Sequence, residues 1–310
     1  MLFILTTTSA FALLLSACQP EKGVVTEEVV VTAAPEPAAA KTFMGMVNEA
    51  MAEVPVISPQ EAQKLMEQDP NVLVIDPRDA ADIPYTGIVP GAMNISYEAT
   101  MTAVALVLLF SLPAARGVAR IVENKRHTFT IGGASFVGIL IAPWAVTTTN
   151  WLLGSPDHAL PTIPVLAAMS IAYTLGEGLG RLGCISYGCC YGKPLSACSK
   201  VVQFLFSRTG FIFYGDMKKV AYEAQLDGEM LVPIQAITCL LYASGALWGS
   251  YLFLNSSFTL ALVFTIGLTQ LWRRFSETLR ADFRGFGTIS LYQKMGRASV
   301  IYISIVACFI

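Results

Sequence analysis

Apolar and polar positions along the chain are grouped in long blocks. Six stretches are almost wholly apolar, at about 99–115, 129–150, 163–180, 233–254, 257–272 and 298–310, and charged or glycine-rich segments separate them. A helix that crosses a bilayer needs about 20 such residues. The pattern therefore predicts a polytopic helical membrane domain of about six spans over residues 99–310, with a short first and last stretch. Ahead of it the pattern changes. Residues 1–18 carry an apolar run, small residues and Cys18, which reads as a secretory signal. Residues 19–54 are rich in Ala, Pro, Glu and Val without a period and read as a linker. In residues 55–98, Ser58 followed by Pro59 and Glu61 predicts a capped helix start, and "NVLVID" (Asn71–Asp76) predicts a short buried strand ending at a turn. The expected fold class is mainly α: a polytopic membrane domain behind a small α/β segment.

Composition supports the membrane assignment. Hydrophobic residues make up 54% of the 310 and charged residues only 14%, against about 25% charged in a soluble domain. The net charge of −2 points to no partner, and no basic tail or Arg-Gly run supports nucleic-acid binding. The expected partner is the lipid bilayer itself. Of seven cysteines none lies between Cys18 and Cys184, so residues 19–98 hold neither a disulfide scaffold nor a cysteine enzyme.

Loop charges predict orientation. The first loop has Arg116, Arg120, Lys125 and Arg126; the third has Arg181, Lys193, Lys200, Arg208, Lys218 and Lys219; the fifth has Arg273, Arg274, Arg280, Arg284, Lys294 and Arg297. These read as cytoplasmic. The second loop (with His158 and no Lys or Arg) and the fourth, near Asn255 and Ser256, read as external, which also places residues 19–98 outside. An arginine buried among the helices would be miscounted by this rule, and Arg181 and Arg280 are the candidates for that error.

The densest chemistry lies in "GEGLGRLGCISYGCCYGKP", residues 176–194. Three readings compete. As a metal site, Cys184, Cys189, Cys190 and Cys198 lack two Cys-x2–4-Cys pairs and a nearby histidine, and adjacent Cys189 and Cys190 do not easily reach one ion, so no metal or other cofactor is expected. As a thiol site, Cys184, Cys189 and Cys190 beside Arg181 and Lys193 would have lowered pKa values, although cysteines near membrane helices also pack as small apolar residues. As a lipid head-group site, Arg181 offers a planar fork to a phosphate, and Gly176, Gly178, Gly180, Gly183 and Gly188 permit close helix packing and exposed backbone donors. Glu177 stands four residues before Arg181, so a buried ion pair is the structural alternative.

Three resemblances extend this reading. "LSAC" (Leu15–Cys18) resembles a bacterial lipobox, which would make Cys18 the lipidated residue. Residues 56–96 resemble the first half of a rhodanese-like domain through Asp76, Arg78 and "IVPGAMNIS" (Ile88–Ser96). The later loop that carries that family's reactive cysteine does not follow Ser96, so the segment is truncated and is not expected to transfer sulfur. "GRLGCISYGCCYGKP" resembles the signature segment of the bacterial prolipoprotein diacylglyceryl transferase family. "GGASFVGILIA" (Gly132–Ala142), "VPIQAITCLLYA" (Val232–Ala243) and "RRFSETLRADFRGFGTISLYQ" (Arg273–Gln293) agree with it in order.

The resemblance implies a diacylglyceryl transfer from phosphatidylglycerol to the lipobox cysteine of a prolipoprotein signal peptide, at the bacterial inner membrane. Arg181 and Arg280 would grip the phosphate, and Glu277 and Asp282 would orient them. Gln235 and Gln293 would supply polar contacts, with Gly132, Gly133, Gly180 and Gly183 lining the substrate. Two positions depart from the family: Val137 stands where many members have histidine, and Cys184 where the signature has asparagine. A membrane thiol or sulfur-handling protein and an inactive lipid-binding relative are the alternatives.

Overall fold

The computed structural model describes residues 52, 57–69, 72–79, 82–122, 129–153, 159–282 and 290–309. Cys18, the linker apart from residue 52, His127 and His158 lie outside the described residues. The chain forms two compact units, residues 1–70 and 71–310. In the first, helix α1 (Pro59–Gln68) starts as its sequence predicts: the Ser58 hydroxyl accepts from the Glu61 amide and the Glu61 carboxylate accepts from the Ser58 amide, with Pro59 opening the helix. These reciprocal bonds hold Glu61 below its usual carboxylate range.

The second unit begins with a small βαβ module. Strand β1 (Ile75–Asp76) pairs in parallel with β2 (Met93–Asn94), and α2 (Ile83–Thr86) crosses between them. Arg78 organises the crossing. Its guanidinium binds Asp76 at 2.6 Å, the Thr86 hydroxyl at 2.7 Å and the Gly87 carbonyl at 2.8 Å. The Asp76 carboxyl is held low by that hydrogen bond and charge. The module runs straight into the bundle. The Tyr97 amide donates to the Pro77 carbonyl, Ser96 donates to Asp79, and Leu73 and Ile95 pack against the main core.

Six long helices follow: α3 (Tyr97–Val122), α4 (Ile131–Leu153), α5 (Thr162–Tyr187), then, after a folded loop, α8 (Ile234–Leu254), α9 (Phe258–Ser276) and α10 (Leu291–Phe309). Helices α3, α4, α5 and α8 are long and apolar enough to cross a membrane. The bundle packs α3 on α4, α5 on α8 and α9, and α10 on α9 and α4. Small residues set the closest approaches. A Cβ at Gly245 would lie 2.1 Å from Leu268, and one at Gly249 2.6 Å from Thr265, so α8 meets α9 backbone to side chain. The main core runs through Val146, Val165, Leu166, Leu262 and Ile266.

The loop between α5 and α8 has secondary structure of its own. It contains α6 (Lys200–Phe206), strand β3 (Phe211–Ile212), α7 (Lys219–Ala224) and strand β4 (Met230–Leu231), with β3 and β4 antiparallel. Tyr191, Phe213, Val220 and Leu231 form a second, smaller core beneath it. Burial pushes the Tyr191 phenol up to about 12.

Candidate functional site

The polar residues of α5 that face inward follow helical spacing: Ser170, Thr174, Glu177 and Arg181. On α9 the matching row is Thr265, Thr269 and Arg273, of which the two threonines are fully buried. The rows meet. The Ser170 and Thr265 hydroxyls lie 2.8 Å apart. Two turns further towards the C-termini, Glu177 accepts Arg181 at 2.5 Å and Arg273 at 2.8 and 2.9 Å, and the Tyr173 hydroxyl also donates to it. Arg273 further donates to Ser135 on α4 at 3.0 Å. A buried ion pair survives only when its remaining polar atoms find partners. Here the Glu177 carboxylate joins α5 to α9, and Arg273 carries the link on to α4. The side chains of Glu177, Arg181 and Arg273 are 2%, 9% and 13% exposed, which identifies Arg181 and Arg273 as interior residues and not loop charges.

A second polar layer caps the first where α5 ends. Gly188 closes the helix at φ 64° with its amide on the Cys184 and Ile185 carbonyls. The Cys189 amide also returns to the Cys184 carbonyl, and Cys190 adopts φ 56°. A left-handed non-glycine costs about 1–2 kcal/mol. The result of this double reversal is that the Cys184, Cys189 and Cys190 sulfurs lie within 4.8 Å of one another. The expectation that adjacent Cys189 and Cys190 could not converge is therefore overturned, because two left-handed residues in three turn the chain back onto the helix end.

Residues 191–193 then thread between two other segments. The Lys193 amide donates to the Leu279 carbonyl at 2.8 Å, Ala281 to Tyr191 at 3.2 Å, and Val232 to Lys193 at 3.0 Å. Gly192 is required there, since a Cβ would sit 2.3 Å from the Val232 carbonyl oxygen. This pairing delivers Arg280 to the thiols. Its guanidinium grips Asp282 through two 2.7 Å bonds and interacts with the Cys190 sulfur. Burial opposes the Arg280 charge, but Cys190 and Asp282 outweigh it and raise its pKa. Cys190 is held well below the ordinary thiol value by hydrogen bonds from Cys184 and Cys189, with Arg280 and Arg181 adding to the effect; Cys189, as a donor in that set, is raised. Gln235, only 1% exposed, donates to the Cys189 carbonyl at 3.0 Å and steadies the turn. Arg181 Nε and Gln235 Oε1 are buried without a hydrogen-bond partner, an arrangement uncommon in protein interiors.

The structure thus gathers Arg181, Arg280, Asp282, Gln235, Cys184, Cys189 and Cys190 at one end of the bundle. Other expected site residues lie elsewhere. Glu277 accepts from Ser290 at 2.5 Å, and Gln293 donates to the Arg274 carbonyl at 3.3 Å, so both tie α9 to α10. Gly132 and Gly133 are contact points: a Cβ would meet Tyr292 at 2.4 Å or Val118 at 2.7 Å. Gly180 and Gly183 face open space, so among the signature glycines within α5 it is Gly178, beside Tyr242, that permits close packing. The sequence reading missed Arg273, Tyr173 and Ser135. The signal for Arg273 was its place four residues after Thr269 in a polar row on an apolar helix. Compared with known proteins, the chain matches no family model, no curated protein and no solved structure.

Proposed function

We propose that the membrane unit is a group transferase that acts on an anionic phospholipid, the reaction being diacylglyceryl transfer from phosphatidylglycerol to a prolipoprotein cysteine. The observation that carries this reading is that two buried guanidinium groups, Arg181 and Arg280, stand in one polar layer, each with a side chain only 9% exposed. Glu177 and Asp282 each neutralise one of them, and the five-donor fork of a guanidinium leaves capacity for an anionic head group. The Arg181 Nε, still unpartnered, is a donor for such an anion. In the reaction a C–S bond forms as the C–O bond to phosphate breaks. The thiol proton leaves with the glycerol phosphate, and the two cations stabilise the charge that develops on it.

Six crossings follow if α9 and α10, 19 residues each and thus about 28 Å long, span with the four longer helices in a bacterial inner membrane. The N-terminal segment then lies outside, and the polar layer lies at the cytoplasmic end, flanked by Lys193, Lys200, Arg208, Lys218 and Lys219. That is the end opposite to the face at which the resembled family meets its exported substrate.

The clustered sulfurs favour a second reading, a membrane thiol or sulfur-handling protein in which Cys184, Cys189 and Cys190 are themselves modified. One assay separates the two. Purified protein is mixed with phosphatidylglycerol and a lipobox peptide, and glycerol phosphate and peptide mass are followed. Transfer is expected, with a loss of about 100-fold in Arg280→Ala. Thiol modification of the protein with no phospholipid consumed would replace the first reading by the second.

A further inference from the structure

In the transferase reading Val137 occupies the position of the family's histidine, and its side chain cannot take a proton from the acceptor thiol. The three-sulfur cluster offers a different means of activation. We propose that Cys184, Cys189 and Cys190 hold one thiophilic divalent cation of the zinc class, with a fourth coordination position that takes the acceptor cysteine of the substrate; this role for the fourth position rests on the transferase reading above.

Three arguments converge. Zinc binds thiolates at about 2.3 Å in a tetrahedron, which sets its sulfurs about 3.8 Å apart. The observed sulfurs, all within 4.8 Å, reach that spacing by closing about 1 Å at most. The ligand set also has the character of a reactive centre. Structural zinc sites have four protein ligands and are closed, whereas catalytic ones have three and keep a position open. The cluster holds three groups, and Cys198 is not among them.

The surroundings suit an anionic centre. Loading releases three protons, M²⁺ plus three thiols giving a tris-thiolate monoanion. Arg181 stands one turn before Cys184 on α5, and the Arg280 guanidinium interacts with the Cys190 sulfur. Gln235 fixes the turn from behind through the Cys189 carbonyl, the kind of outer contact that orients a ligand set. An acceptor thiol entering the fourth position gives up its proton to solvent and becomes a metal-bound thiolate. That thiolate then attacks the glyceryl carbon, the C–O bond to phosphate breaks, and the thioether product leaves the metal.

Cobalt(II) titration of the reduced, metal-free full chain in detergent tests this. One equivalent is expected to produce sulfur-to-metal charge-transfer absorption and the strong visible bands of a tetrahedral ion, both bleached by zinc. Cys184→Ser, Cys189→Ser and Cys190→Ser each lose the one-equivalent endpoint, while Cys198→Ser, Cys239→Ser and Cys308→Ser keep it. Adding a lipobox peptide shifts the cobalt bands, and a cysteine-to-serine peptide does not. Wild-type protein that binds no cobalt stoichiometrically, or binds it with bands indifferent to the peptide thiol, overturns the proposal whatever the variants do. Transfer by metal-free protein also overturns it and leaves the transferase standing. A peptide-responsive cobalt site in protein that never consumes phosphatidylglycerol supports the metal centre and removes the transferase instead.

Discussion

Glu177→Gln is expected to destabilise the membrane unit by about 3–5 kcal/mol, the cost of stranding a buried charge. The Glu177 carboxylate is 2% exposed and accepts from Arg181, Arg273 and Tyr173 at once. The amide keeps the shape and one acceptor oxygen but removes the negative charge and turns two acceptor sites into donors. Two guanidinium groups would then face each other among apolar helices with nothing to neutralise them. Adding Arg273→Met to Glu177→Gln removes one stranded cation, and the double variant is expected to be more stable than Glu177→Gln alone. Denaturant or thermal unfolding of the purified protein in detergent measures both. A double variant no more stable than the single one would show that Glu177 matters for something other than charge balance.

Gly192→Ala is expected to dismantle the polar layer while the bundle remains folded. The added Cβ meets backbone, the Val232 carbonyl oxygen at 2.3 Å and its carbon at 3.0 Å, which cannot rotate away as a side chain would. To admit a methyl group, residues 231–232 must move from 191–193, which breaks the 3.0 Å bond from Val232 to Lys193 and loosens the pairing that carries Arg280. Overpacking of this kind costs about 1–3 kcal/mol. The effect on function is larger, because Arg280, Gln235 and the cysteines all depend on that joint. Both phosphatidylglycerol transfer and the cobalt endpoint should fall below detection. Gly176→Ala is the control: it lies within α5, its Cβ meets nothing within 4 Å, and it should stabilise the helix by about 1 kcal/mol. Equal behaviour of the two variants in an unfolding and a cobalt assay would refute this account of the joint.

Hydropathy located the long helices but cut several short. The third apolar stretch stops near residue 180, yet α5 continues to Tyr187; the fifth stops near 272, yet α9 continues to Ser276. The reason is the same in both. Arg181 and Arg273 end an apolar run on any hydropathy scale, but each is paired with Glu177 inside the bundle, so the helix has no cause to stop. A charge count read Arg273 as a loop cation for the same reason. The α1 cap was legible because it is local, three residues reading one another's backbone. The thiol cluster was not, because it depends on Cys190 taking a backbone conformation that its own residue type disfavours. The satellite core around Tyr191 was likewise illegible: Phe213, Val220 and Leu231 come from three short elements with no shared period.

The βαβ module joins α3 with no spacer, the Tyr97 amide already bonded to Pro77 and Ile95 seated on the main core. It is therefore a rigid handle. A fluorophore fixed to Tyr85, 89% exposed on α2, would turn with the bundle, so its depolarisation should report the tumbling of the membrane unit and any tilt of α3.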